Sequence, residues 1–267
     1  IYPLSGNAAS AGNYSKAAQE FELLAQQRPD CVQCYLMYGQ SLLKLKRPQE
    51  AARFARIALA SAGGRADRLR LAFADGFLAA GNKAGALAQL EGPGPALAEG
   101  RARIAAGKPT GQGIDSASDA FAELMVGMAL ALGRVQNKSL PIAFAQVARY
   151  ANPQNSAGNI LLALLLEDDG RPTDGLDILH AVDRSDPFAG QAQDAEIRML
   201  IDSGRHQEAL REAEQIVASK QDADAYARLG VVHLETPSPL NPLGVKGAGE
   251  GGIVGTGAAL ANALSHA

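Results

Sequence analysis

DAEIRMLIDSGRHQEALREAEQIVASKQDADAYARLG, from Asp194 to Gly230, is the stretch whose reading decides the fold. It reads as a helix, a break at Asp202-Ser203-Gly204-Arg205, a second helix and the start of a third. Apolar or small residues recur at Ile197, Leu200 and Ile201, then at Ala209, Leu210, Ala213, Ile216 and Val217. That is the i, i+3, i+4, i+7 spacing of amphipathic helices. Gly204 stands where a helix C-cap belongs, because only glycine enters the left-handed region without steric cost. Two short helices with one apolar stripe each cannot bury those stripes alone, so the unit needs neighbours of its own kind.

Such neighbours lie upstream. The turn between paired helices falls at Gly12, Lys46, Gly81, Gly170 and Gly204, at near-equal intervals apart from the long step between Gly81 and Gly170. A small residue, Ala17, Ala51, Ala86, Gly175 or Ala209, stands at the same offset after each turn, where two helices would touch. Pro29 follows the Gly12 turn at the interval by which Pro187 follows the Gly170 turn. A proline there is expected to end the second helix, having no N–H and clashing with the preceding turn.

With Tyr35, Tyr38, Gly39 and Leu42 on one helix and Ala51, Ala55, Ala58 and Leu59 on the next, residues 8–235 resemble the tetratricopeptide repeat (TPR) family, whose unit is about 34 residues long. The turn intervals match that unit. The resemblance implies an all-α solenoid of five to six helix pairs. Its first helices would line a concave groove that accepts a peptide or protein partner.

The long step holds an atypical middle unit, 92–153. Gly92-Pro93-Gly94-Pro95 breaks the chain, 96–106 makes one short helix, and 107–113 reads as a flexible loop. Ser116 or Ser118 caps a helix carrying Phe121, Leu124, Met125 and Met128, with Gly127 at the family's glycine position. Pro141 begins its partner. Downstream, Tyr226, Leu229 and Gly230 open one more first helix, expected to run to about Glu235. Leaving it without a partner exposes Leu229 and Val232 unless a helix over 258–264 covers them.

From Thr236 the composition changes. Three prolines in 237–242 exclude a helix, and a Gly-rich run leads to an Ala-rich helix candidate, 258–266. The division expected is thus a solenoid over 1–235 and a separate Gly/Pro-rich tail over 236–267 that ends in a short helix. NPLGVKGAGE and GAALANAL, within 234–267, resemble the C-terminal end of the molybdopterin-binding large subunit of molybdenum hydroxylases, the xanthine dehydrogenase and aldehyde oxidase family. The resemblance implies that Glu250 is the catalytic base, deprotonating a molybdenum-bound hydroxyl. It places Gly247, Ala248 and Gly249 in the loop that passes close to molybdopterin. The family's other cofactor loops are not recognisable between Ile1 and His233. No cofactor is therefore expected for this chain alone, and the tail reads as a non-functional passenger. The junction falls inside a repeat, the pattern of a chimeric or misassembled sequence. The competing reading is a fragment of a molybdenum hydroxylase, an oxidoreductase with Glu250 as its base.

Composition bounds the rest. The 267 residues are 47% hydrophobic and only 5% aromatic, with no Trp and a formal net charge of -3. Helices packed through small side chains fit this, and a nucleic-acid footprint does not. The strongly apolar run 160–166 is far short of the roughly 20 residues of a membrane span. The chain begins Ile1-Tyr2-Pro3, which leaves room upstream for a true N-terminus or a signal peptide and leaves the compartment, cytoplasmic or periplasmic, open.

Cys31-Val32-Gln33-Cys34 has redox or metal spacing, but zinc needs four ligands, and no second pair or nearby His is available. The pair reads as two small residues opening a repeat helix, unable to build a disulfide framework. His180, His206, His233 and His266 are dispersed, and Glu167-Asp168-Asp169 reads as a solvated turn. Asp115, Ser116 and His180 form no recognisable nucleophilic constellation.

Overall fold

The structure is a computed structural model that describes residues 12–28, 30–133 and 138–235. Among the described residues there are thirteen α-helices, one 3₁₀ turn at Gly63–Arg65 and no strand, the all-α helical-repeat class expected. The chain divides into two compact units, Ile1–Ala192 and Gln193–Ala267.

The first described helix of this unit is α1 (Tyr14–Gln27), followed by α2 (Val32–Lys44) paired with α3 (Pro48–Ala60). Next come α4 (Ala66–Ala79) with α5 (Lys83–Gln89), the single α6 (Pro95–Ala105), α7 (Ala117–Leu132) with α8 (Ser139–Ala151), and α9 (Ser156–Asp168) with α10 (Pro172–His180). Each expected turn has the left-handed backbone a tight reversal requires: φ is +73° at Gly12, +58° at Lys46, +82° at Gly81, +77° at Gly170 and +71° at Gly204. Lys46 is the one non-glycine residue with positive φ among those described. All five small positions are buried, with Ala17, Ala51, Ala86 and Ala209 wholly inaccessible. The repeat register is thus the spacing at which a side chain no larger than a methyl lets two helices meet.

First helices also pack closely on each other. A Cβ added to Gly39 of α2 would lie 2.8 Å from Cε1 of Phe73 on α4, so the absence of a side chain sets that approach. Phe21, Leu36, Leu42, Leu69, Phe73 and Phe77 form much of the fully buried apolar interior of the early repeats.

The middle unit differs from the regular hairpins. Ser116 caps α7 through a reciprocal capping box with Asp119. Its partner α8 starts at Ser139, just before the expected Pro141. The proline is accommodated in the first turn, where a backbone N–H has no intrahelical acceptor to lose. α7 reaches back toward the start of α2, where Gln33 Nε2 donates to the Ala120 carbonyl at 3.2 Å. Pro187 does not end a helix, because α10 stops at His180 and the chain turns through 181–188. Pro29 lies outside the described residues.

The second unit holds the rest of α11 (Ala189–Asp202), then α12 (His206–Ser219) and α13 (Ala223–Glu235). Arg228 Nε bonds Asp194 Oδ1 at 2.6 Å, linking α13 to α11. Of the two residues on α13 expected to be exposed unless a helix over 258–264 covers them, Val232 is buried and Leu229 is half-buried. The tail from Thr236 lies outside the described residues.

Candidate functional site

The face of a repeat hairpin that would meet a peptide is carried by its first helix. On α2, Gln33, Met37, Gln40 and Lys44 recur at helical spacing, and on α4 so do Arg68 and Asp75. Polar residues in that pattern suggest a wet groove. Most of them are buried instead: Arg68 is 4% exposed and Asp75 8%, and Gln33, Gln40 and Ser41 are buried with them.

Part of what covers this face is the chain's own segment 107–116. Asp75 Oδ1 accepts the backbone N–H of Thr110 at 2.6 Å, while its Oδ2 accepts the Thr110 hydroxyl at 2.9 Å and the Gln112 N–H at 3.0 Å. Arg68 Nη1 donates to the Gln112 carbonyl. Arg103 Nη1 holds the Thr110 carbonyl at 3.1 Å, and Lys44 pairs with Asp115 at 2.5 Å. Gln112 Nε2 continues to Asp186 at 2.7 Å. The stretch expected to be a flexible loop therefore runs through the first-helix face without helical hydrogen bonding, with Thr110 wholly inaccessible and Gln112 and Ile114 buried. Its backbone groups find side-chain partners because no helix or sheet supplies them.

A second polar cluster anchors the face. Glu123 of α7, wholly inaccessible, pairs with Arg65 and with Arg68, each at 2.8 Å, and accepts from Asn155 Nδ2 at 2.8 Å. Burial pushes the Glu123 carboxyl up. The charges of Arg68 and Arg65, with hydrogen bonds from Arg65 and Asn155, outweigh burial and hold it below its ordinary value. At Asp75 the balance runs the other way. Burial raises its carboxyl by more than the Thr110 and Gln112 hydrogen bonds and the Arg68 charge lower it. Burial likewise raises Asp186, against the Phe188 N–H, Ser156, Arg103 and Arg68.

Beside the segment a cavity of about 380 Å³ stays open, lined by Tyr14, Met37, Gln40, Ser41 and Lys44 and by residues 114–118. Its wall is apolar at Met37 and Ile114, carries the Lys44–Asp115 ion pair and is hydroxylic at Ser41, Ser116 and Ser118.

The other residues singled out in the sequence fall elsewhere. Gly247, Ala248, Gly249 and Glu250 lie outside the described residues, as do the side chains of His233 and His266. Cys31 and Cys34 do open α2, as expected, and they are joined to each other by a disulfide, which the reading as two small residues did not include. A bond across two intervening residues needs no framework of other cysteines. Asp168 pairs with Lys138 at 2.7 Å, and His206 opens α12. Among the described residues, no group of three or more His, Cys, Asp or Glu could hold a metal ion, and no helix is long and apolar enough to cross a membrane. Arg68, Asp75, Gln112 and Glu123, which shape the site, went unrecognised in the sequence. For Arg68, Asp75 and Glu123 the one local signal is a charged residue at an inward position of a first helix; Gln112, in the connecting segment, has none.

The TPR family matches residues 7–66, which include α1 and the α2/α3 hairpin. No curated protein matches the chain. Solved structures similar to it include the crystal structure of the P58(IPK) TPR domain, with 15% identity and a TM-score of 0.37. That similarity covers 86% of this chain and 63% of the other, so the chain spans less than two thirds of that structure's length.

Proposed function

We propose that the chain is a protein-interaction scaffold of the TPR type whose first-helix face takes an extended peptide. The observation that carries this reading is that the face already holds one, its own residues 109–115, gripped through backbone N–H and C=O groups by Asp75 and Arg68. Recognition through the main chain depends little on sequence, so selectivity falls to the open cavity next to it, where Met37 and Ile114 favour a partner with an apolar side chain. Selecting displayed random peptides on the full chain tests this. Enriched peptides should carry such a side chain and lose binding to Met37→Ala, and enrichment of nothing, or of peptides indifferent to that substitution, would overturn it.

A second proposal rests on the NPLGVKGAGE motif alone. By resemblance, 234–267 derives from a molybdenum hydroxylase, with Glu250 as base and Gly247, Ala248 and Gly249 toward molybdopterin. These residues are not among those described, so no step is derived through the cofactor. Elemental analysis of the purified chain decides it: molybdenum near one atom per chain supports an oxidoreductase fragment, and its absence after expression with the cofactor pathway leaves the tail a passenger.

A further inference from the structure

The pair at the start of α2 has a chemistry that peptide binding does not use. Cys31 is the N-cap of α2, its Sγ accepting the Cys34 backbone N–H at 3.1 Å, and the two Cα atoms are 5.3 Å apart. The two residues differ in access: Cys34 is 3% exposed, whereas Cys31 is half-buried. A bond closing so short a loop removes little entropy from the unfolded chain, which makes stabilising the fold a weak reason for it. A thiolate at Cys31 would sit at the positive end of the thirteen-residue α2 and keep the N–H donor of Cys34, and both effects favour the ionised, reactive form. The neighbouring Arg28 is engaged with Asp30 at 3.3 Å and adds little.

We infer that Cys31–Cys34 is a thiol–disulfide exchange site, with Cys31 the sulfur that bonds the partner and Cys34 the buried resolving thiol. In the reducing direction the thiolate of a small or protein thiol attacks Cys31 Sγ. The Sγ–Sγ bond breaks, its electron pair leaves on Cys34 Sγ, which takes a proton, and a mixed disulfide remains on Cys31. A second thiolate then attacks the partner's sulfur and releases Cys31 as thiolate. Two thiols are oxidised to one disulfide while the pair is reduced to two thiols, and the reverse sequence reduces a substrate disulfide to two thiols while the pair is re-oxidised.

Single variants of the full chain, Cys34→Ser and Cys31→Ser, treated with oxidised glutathione under native conditions, test the assignment. Cys34→Ser should form the mixed disulfide at Cys31 about tenfold or more faster than Cys31→Ser forms one at Cys34, as the difference in access and thiolate character requires. Equal rates, or a wild-type disulfide that glutathione reduces only when the chain is unfolded by urea, would overturn it. Should either variant fail to fold by circular dichroism, the reduced wild-type chain decides: brief alkylation followed by mass spectrometry must label Cys31 before Cys34, and the opposite order refutes the proposal.

Discussion

Asp75 on α4 holds the backbone N–H of Thr110, far along the chain, at 2.6 Å, with both groups buried. One carboxylate thereby satisfies two backbone donors and one hydroxyl of a segment with no secondary structure of its own. Asp75→Ala should leave the Thr110 N–H and hydroxyl buried without their acceptor, the Gln112 N–H keeping only the Thr110 hydroxyl oxygen at 3.2 Å, and destabilise the chain by about 2–4 kcal/mol, since each unsatisfied group costs about 1–3 kcal/mol. Urea unfolding measures the loss, and hydrogen exchange should accelerate first over 108–115.

Glu123 pairs with both Arg65 and Arg68 in a buried cluster. Glu123→Gln takes from two guanidinium groups the carboxylate they share and should cost about 3–5 kcal/mol. Replacing Arg65, Arg68 and Glu123 together with apolar residues of similar volume should cost much less, because no charge of the cluster then stays buried. Comparing the urea midpoints of the two variants checks the difference.

The two carboxylates have opposite pH signatures. The Glu123 carboxyl is held below its unfolded value of 4.5, so its contribution is complete above that value and is lost as pH falls through the native value. The Asp75 carboxyl is raised above 3.8, so the native state binds its proton more tightly and stability declines as pH rises from 3.8 through the native value. Acid destabilisation should therefore be shallower in Glu123→Gln, and the Asp75 decline should vanish in Asp75→Asn. Urea midpoints taken across the carboxylate range test both.

The turns offer a backbone test free of packing. A Cβ at Gly204 would meet nothing within 4 Å, yet φ there is +71°. Gly204→Ala should lower stability by about 1 kcal/mol through the left-handed backbone alone. Lys46→Gly, at φ +58°, should gain a similar amount, less what the Lys46 contact with the Ala79 carbonyl contributes. Thermal unfolding of the two variants should shift in opposite directions.

Gly39→Ala would press a methyl to 2.8 Å from the Phe73 ring. Forced repacking between α2 and α4 should cost about 1–3 kcal/mol. Denaturant unfolding of that variant beside Ala55→Gly, in the same hairpin but away from this approach, separates overpacking from general sensitivity.

The repeat was readable because its determinants are local. Gly81, Ala86 and the apolar stripes lie within one hairpin, where periodicity reports the buried face directly. The site was less readable. Gly107, Gly111 and Gly113 suggested a mobile connector, and nothing within the segment tells that Asp75 waits for its N–H groups. Arg68 and Glu123 stand on helices of different hairpins, far apart in the sequence, and each alone looks like an ordinary charge on a solvated helix.

By itself the sequence determined the helical hairpins, their regular register, the left-handed turns and the small contact positions. Each follows from steric and hydrophobic demands between residues a few turns apart. Only the tertiary structure decided that segment 107–116 lies on the first-helix face, that Glu123 is the buried partner of two arginines, and that Cys31 and Cys34 are bonded with the first half-buried and the second buried. Burial is the reason for the difference. A polar side chain has the same letter in water and in a core, and its role is set by which distant groups the fold brings to within about 3 Å of it.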